Sequence, residues 1–400
     1  MTTESQVDIL ISGGGIAGLT AAAAFASAGF SVQCVDPTPP VTERDADGSD
    51  LRTTAFLQPA TTLLDEAGIW DRLAPHAAPL QVMRIVDAGG DVPEPRIVKN
   101  FNASDISDQP FGWNLPNWLL RREMLARLAE MEQVDLRLGT ATTTLFTRTN
   151  EARVTLSDGS RTRARLVIAA DGRNSTMREA ADIGVHTTRY GQKALAFAVT
   201  HPIPHENVST EIHRSGGPFT LVPLPDYQGK PSSALVWMER GPRATELFEM
   251  DVADFEREMT ERSCSLFGPL TLASRRTIWP IISQSAERLY GERLALVAEA
   301  AHVVPPIGAQ GLNMSLGDMR ILLDLARANP SDLGSKKMLE TYHRKRFAEV
   351  KLRVKGIDLL NRASMVEARP LRDARAMGLN ALYSMEPVRK TLMQMGLGAR

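Results

Sequence analysis

Cysteine is nearly absent: Cys34 and Cys264 are the only two among 400 residues. Two thiols cannot make a disulfide framework, which points to a reducing compartment and a cytoplasmic location. Excess charge of either sign is missing too, since 46 Lys+Arg meet 47 Asp+Glu for a net of −1. That balance removes the usual global reason to expect a nucleic-acid partner. Charge disappears altogether from Ile9 to Val35, 27 residues and long enough to raise the question of a membrane span. Five glycines and seven alanines keep the stretch low in apolar bulk, and Glu4 and Asp8 precede it where a secretory signal would be basic. Neither a span nor a signal is expected there, and no metal site is expected anywhere. What remains is ordinary globular composition, 43% hydrophobic and 23% charged, at a length that suggests two or three domains.

The uncharged stretch has internal order. Val7-Asp8-Ile9-Leu10-Ile11 reads as a buried parallel strand, and Ser31-Val32-Gln33-Cys34-Val35 as a second one ending at Asp36. Between them Gly13, Gly15 and Gly18 stand in the G-x-G-x-x-G spacing, with Ile16 and Ala17 opening an alanine-rich helix that Gly29 ends. The first glycine makes the tight turn, the second lets backbone approach a pyrophosphate, and the third allows close helix–sheet packing. The helix N-terminus offers unpaired N–H groups and a positive dipole end. Asp36 lies 18 residues after Gly18, where a carboxylate accepts hydrogen bonds from an adenosine ribose. This arrangement binds a dinucleotide and does not separate FAD from NAD. Cys34 reads as a small core residue.

Two further segments share that grammar. Arg165 to Ala170 is another buried strand that ends in Asp171-Gly172, with Ser175 and Arg178 at a probable helix start. Leu294 to Glu299 is a strand ending in a carboxylate, followed by the stiff Pro305-Pro306 pair and by Gly308, Gly311, Leu312 and Asn313. A helix beginning near Gly311 would aim N–H groups at a ligand and favour negative charge there, which suits the anion of reduced flavin.

Taken together, the three segments resemble the fingerprints of the class A flavoprotein monooxygenases, the para-hydroxybenzoate hydroxylase-like group. The likeness is closer to the ubiquinone-biosynthesis hydroxylases, through Leu51-Arg52-Thr53-Thr54-Ala55 with Leu57, Asn117 with Leu120-Arg121, His205 to Val208, and Phe219 to Pro225. The resemblance implies an α/β fold with a Rossmann-like FAD-binding domain, an inserted antiparallel-sheet substrate domain and a helical C-terminal segment. It implies FAD as cofactor and NAD(P)H and O2 as co-substrates, with oxygen delivered through a flavin C4a-hydroperoxide to an aromatic ring. A polyprenylated phenol is the implied substrate. The alternatives are a related flavoenzyme acting on a small soluble aromatic or a prenyl chain, and a non-catalytic FAD-binding scaffold.

By the same resemblance, Arg52 and Thr53 meet the FAD ribose or pyrophosphate, and Asn117 and Arg121 approach the flavin from the side. Asp171 and Gly172 serve both FAD and NAD(P)H. Glu299 stands where the family normally has the Asp of a Gly-Asp pair, and Ala298 replaces that glycine. Pro305 and Pro306 flank the isoalloxazine near its reactive edge. No certain base for the phenol is legible. Tyr190, Tyr227 and Tyr290 are candidates by type, His302 reads as a loop-holding residue, and Trp113 and Trp118 as pocket wall or core.

Residues 80–105 and 186–270 lack nucleotide motifs and alternate in strand fashion, so they are assigned to the substrate domain. The FAD-binding domain is then discontinuous, from 1–79, 106–185 and 271–335. The remainder, 336–400, holds 15 Lys+Arg against 6 Asp+Glu, a balance of +9 that leaves −10 for everything before it. Lys336 to about Arg362 reads as one long helix. Its basic face is either simply solvated or a peripheral contact with the inner face of a membrane or with a biosynthetic complex.

Overall fold

The protein is described from a computed structural model covering residues 4–90, 92–214, 216–366 and 369–397. Residues 1–3, 91, 215, 367, 368 and 398–400 of the segments divided above lie outside the described residues.

The apolar run at the start becomes strand Glu4–Ser12, flanked in parallel by Arg161–Ala169 and Val32–Asp36. Leu294–Leu296 and Val134–Leu138 extend the parallel array on either side. Ile9, Leu10 and Ile11 are all wholly buried, as expected of a strand with helices or loops over both faces. Helix Ile16–Ser27 buries ten of its twelve residues. Its alanines let it sit close to the sheet, and Phe25 closes the packing edge-on to Phe30 at 6.1 Å. Truncating Phe25 would cost about 3–5 kcal/mol.

Among the described residues the second sheet has nine strands. Its spine is Val185–Thr200, bordered by Lys230–Arg240 and Thr277–Ala286. Pro218–Tyr227, Val208–His213, Val82–Asp87 and Ile97–Asn102 continue it to one edge. Helices Gly241–Glu249 and Val252–Arg262 cover one face through Leu195, Phe197, Ile212, Phe219, Trp237 and Phe255. On the other face Ala194, Met238 and Ile281 cluster with Ile307, Met314, Val350 and Ile357.

Two details differ from the sequence expectation. The second sheet is mixed, because Val208–His213 pairs in parallel with Val82–Asp87. These strands come from separate stretches of chain, so no hairpin forces them antiparallel. Thr277–Ala286, which the division above puts with the nucleotide-binding part, is hydrogen-bonded along the spine of the second sheet. Pro280 obscures it in the sequence, because proline reads against a central strand. Here Pro280 sits where the register with Val185–Thr200 slips, a place that tolerates the missing N–H.

A small antiparallel sheet of Thr53–Leu57, Gly112–Pro116 and Ala78–Leu80 bridges the two large ones. The C-terminal segment is helical: Lys336–Ser364, then Arg369–Ser384 and Glu386–Leu397. Ser335 caps the long helix by accepting from the Met338 N–H at 3.1 Å. Among the described residues no helix is long and apolar enough to cross a membrane.

Candidate active site

The glycine-rich turn divides its labour. Gly13 has φ +107°, and a Cβ there would lie 2.3 Å from the Ala170 carbonyl oxygen. A Cβ on Gly18 would fall 1.8 Å from the carbonyl oxygen of Gly13. Chain packing alone therefore demands these two. Gly15 is different, for a Cβ there would meet nothing within 4 Å. It is the N-cap of helix Ile16–Ser27 and makes no side-chain capping bond, so the first N–H groups of the helix, those of Ile16 and Ala17 among them, receive no cap from it. That is a cradle of the right kind for a pyrophosphate.

Asp36 braces the same turn, accepting from Gly14 N–H at 2.6 Å and from Thr38 N–H at 2.8 Å. Asp171, beside Gly13, accepts from the Ser175 hydroxyl at 2.5 Å and from Met177 N–H at 3.1 Å. Burial pushes the Asp171 carboxyl up, and those hydrogen bonds offset it only in part. Gly172 follows with φ +84° and open space at its Cβ position.

Arg52, Asn117 and Arg121 converge on a residue that sequence reasoning missed. Asp50 accepts from Arg52 Nε and Nη2 at 2.8 and 2.7 Å, from the Asn117 amide at 3.0 Å and from Arg121 at 3.3 Å. Burial opposes its charge, but the Arg52 hydrogen bonds and charge, with Asn117 and Arg121, prevail and hold its carboxyl below the ordinary range. Asn117 also accepts from the Thr54 hydroxyl at 2.8 Å. The buried Nε of Arg121 has no partner among the described residues, so the cluster keeps an unfilled donor.

A cavity of about 370 Å³ opens between this cluster and the second sheet. Arg52, Thr53 and Asn117 line it, as do Ile16, Glu299, Pro305, Pro306, Gly308, Gly311 and Leu312. Ten of the nineteen residues singled out in the sequence thus line one cavity. Gly13, Gly15, Ala17, Gly18, Asp36, Arg121, Asp171, Gly172 and Asn313 stand outside the lining. Asn313 ties strand Thr53–Leu57 to helix Gln310–Ala328, accepting from Leu57 N–H at 2.9 Å and donating to the Ala55 and Ala309 carbonyls. That helix starts without a side-chain cap, and its first residues border the cavity. Glu299 is half exposed, with Arg173 Nε at 3.4 Å. Ala298 before it has φ +55°, the left-handed region that a glycine would occupy without strain.

The apolar end of the cavity is built by Leu57, Leu80, Met83 and Phe111, and its sheet wall by Ser209, Glu211, Thr220, Val222 and Trp279. Trp279 takes the place expected of Trp113 or Trp118; Trp113 instead packs edge-on to Trp70 at 5.2 Å. None of the three tyrosines lines the cavity. Tyr190 donates to Asp358 at 2.6 Å, Tyr227 lies under Arg44 at 3.5 Å, and Tyr290 packs on His343. His302 sits behind the proline loop, wholly buried, its Nε2 2.7 Å from Asp318, which also receives Arg346 Nε at 2.8 Å. Glu211 holds His213 Nε2 at 2.7 Å. The i, i+2 spacing of that pair on a strand was a signal in the sequence, but the strand's inward face was not.

A model of the FAD binding domain family matches residues 6–355. The chain is 32% identical to ubiquinone hydroxylase UbiL of Rhodospirillum rubrum, over 99% of this chain and 91% of that one. It is 27% identical to 3-demethoxyubiquinol 3-hydroxylase of Escherichia coli, over 99% and 100%. Crystalline p-nitrophenol 4-monooxygenase PnpA from Pseudomonas putida superposes with TM-score 0.79 at 17% identity, covering 100% and 99%, and so shares the fold. Together with the glycine-rich turn, the strand-end carboxylates and the proline loop, these likenesses show that the chain belongs to the FAD-dependent class A aromatic hydroxylases, in the branch of the ubiquinone hydroxylases.

Proposed function

We propose that the enzyme hydroxylates a polyprenylated phenol of ubiquinone biosynthesis, drawn from a membrane surface, with NAD(P)H and O2. The observation that carries this reading is one cavity joining the flavin-side motifs to an apolar end made by Leu57, Leu80, Met83 and Phe111. Bound FAD supplies the redox chemistry, taking reducing equivalents from NAD(P)H and passing one oxygen atom of O2 to the ring. Around it, the open backbone at Gly15 and the N-terminus of helix Ile16–Ser27 would hold the pyrophosphate. Asp36, Asp171 and Glu299 would accept from its hydroxyl groups. The Asp50–Arg52–Asn117–Arg121 cluster would fix the flavin's flank, with the unpaired Arg121 Nε as a spare donor. Pro305 and Pro306 would keep the reactive edge walled, and Trp279 and Val222 would exclude water from the ring.

A membrane source is supported by the C-terminal segment. Of the thirteen exposed large apolar side chains among the described residues, eight fall between Leu352 and Met395. The same segment carries the basic excess of +9. Apolar side chains set among cations suit an anionic bilayer surface.

The test is turnover by the FAD-loaded enzyme on phenols that share a ring and differ in prenyl length. NAD(P)H oxidation and incorporation of one atom of labelled O2 into the product should rise in kcat/KM with chain length. A flat dependence on chain length, with a short phenol hydroxylated equally well, would overturn the prenyl assignment.

A further inference from the structure

We propose that Glu211 accepts the proton of the substrate's phenolic hydroxyl, with His213 as its positioning partner. The inference rests on the phenol reading above and names the group which that reading leaves open. The titratable side chains lining the cavity are Arg52, Arg84, Arg173, Glu211 and Glu299. The three arginines cannot accept a proton. Glu299 stands at the flavin-side loop, half exposed and near Arg173. Glu211 alone of the two carboxylates projects from the sheet wall, and its side chain keeps only 15% of its exposure.

Alternate residues of a strand share a face, so Ser209, Glu211 and His213 of strand Val208–His213 point the same way. Thr220 stands opposite Glu211 on the neighbouring strand and also lines the cavity. His213 Nε2 lies 2.7 Å from Glu211 Oε1. In that contact Nε2 is the atom that can donate and Oε1 the atom that can accept. The contact engages Oε1, and we assign Oε2 to a hydroxyl in the cavity. His213 Nδ1 is buried with no partner among the described residues. A largely covered carboxylate and a half-satisfied imidazole are costly in a wall shared with Val222 and Trp279 as well as Ser209 and Thr220. A proton-accepting role accounts for that cost.

In the step itself, the phenolic O–H bond breaks and its electron pair stays on oxygen, spreading into the ring. The proton forms a new O–H bond at Glu211 Oε2, and nothing is oxidised or reduced. The electron-rich ring then takes the oxygen atom that the flavin obtains from O2 and NAD(P)H. On rearomatisation the ring carbon loses its hydrogen as a proton to solvent. Glu211 returns its own proton to the ring oxygen, and the carboxylate ends as it began.

The experiment compares wild type, Glu211→Gln and Glu211→Asp, all FAD-loaded, on a prenylphenol and on its fluorinated analogue that ionises unaided at the assay pH. Glu211→Gln should lose roughly 100-fold or more in kcat on the parent phenol. It should lose less than about tenfold on the fluorinated one, where the proton is already gone. Glu211→Asp keeps the acceptor and should fall between. Flavin content and melting temperature should match wild type in both variants. A Glu211→Gln enzyme that keeps its turnover on the parent phenol, or that loses both phenols equally, would leave Glu211 a mere wall residue and overturn the proposal. If wild type hydroxylates no prenylphenol at all, the functional reading fails as well, so the two failures are told apart by the wild-type control.

Discussion

Asp50 works by gathering three groups on one buried carboxylate, so its removal is felt at all of them. Asp50→Asn would leave Arg52 and Arg121 without their counter-charge. Losing charged hydrogen bonds of this kind costs about 1.5 kcal/mol or more, and FAD affinity should weaken roughly tenfold, read by flavin fluorescence. Arg52→Ala should act in the same direction. The pH dependence has a definite sign. The Asp50 carboxyl titrates below its ordinary value of 3.8 in the folded protein. Its stabilising contribution is therefore full above that value and is lost as pH falls through the lowered one. The gap in melting temperature between wild type and Asp50→Asn should persist from neutral pH to about pH 4 and close in stronger acid. Ala298 gives a test of opposite direction. At φ +55° it holds a conformation that costs an L-residue about 1–2 kcal/mol, so Ala298→Gly should raise the melting temperature. Unchanged or lowered stability would show that the left-handed turn is relieved by other means.

Between elements, His302–Asp318–Arg346 forms a buried joint that ties the short strand His302–Val303 to helices Gln310–Ala328 and Lys336–Ser364. Asp318 and His302 are fully buried and Arg346 nearly so. Arg346 also donates to the Met314 carbonyl at 3.1 Å, at the level of the cavity-forming helix start. Arg346→Leu should destabilise the protein by about 3–5 kcal/mol, because it strands a buried charge, and urea unfolding would register it as a lowered midpoint. Much of this architecture was legible beforehand. Continuous apolar runs at Ile9–Ile11 and Leu166–Ile168 announced parallel strands, since both faces are buried and no alternation is needed. The lysine- and arginine-rich helix from Lys336 ended within a turn of its expected limit, at Ser364. What escaped was decided by tertiary context. Pro280 hid a long strand because its tolerated place is a register slip, visible only once its partner is known. Asp50 belonged to no motif, and Glu211 fell within an ordinary alternation, because neither burial nor facing can be read from one strand's sequence.

At the scale of the whole molecule, a net charge of −1 conceals a separation, with −10 before Lys336 and +9 after it. On the membrane reading proposed above, such a dipole would orient the protein against an anionic surface, with the basic segment inward, at about 1 kcal/mol per cation brought close. Exposed Met385, Leu392 and Met395 would then add apolar insertion at the same segment. Helix Glu386–Leu397 joins this surface to the cavity, for its inner Met393 and Leu397 pack in one cluster with the cavity-lining Leu57, Leu80 and Phe111. The enzyme should therefore sediment with vesicles containing anionic lipid, less so as salt rises through the range where the Debye length shortens to about 8 Å. A Met385→Asp, Leu392→Asp, Met395→Asp triple variant should lose that binding and keep its flavin. Equal recovery on uncharged vesicles, or no loss in the triple variant, would mean that the basic segment is a solvated face and that the prenyl substrate reaches the cavity by another route.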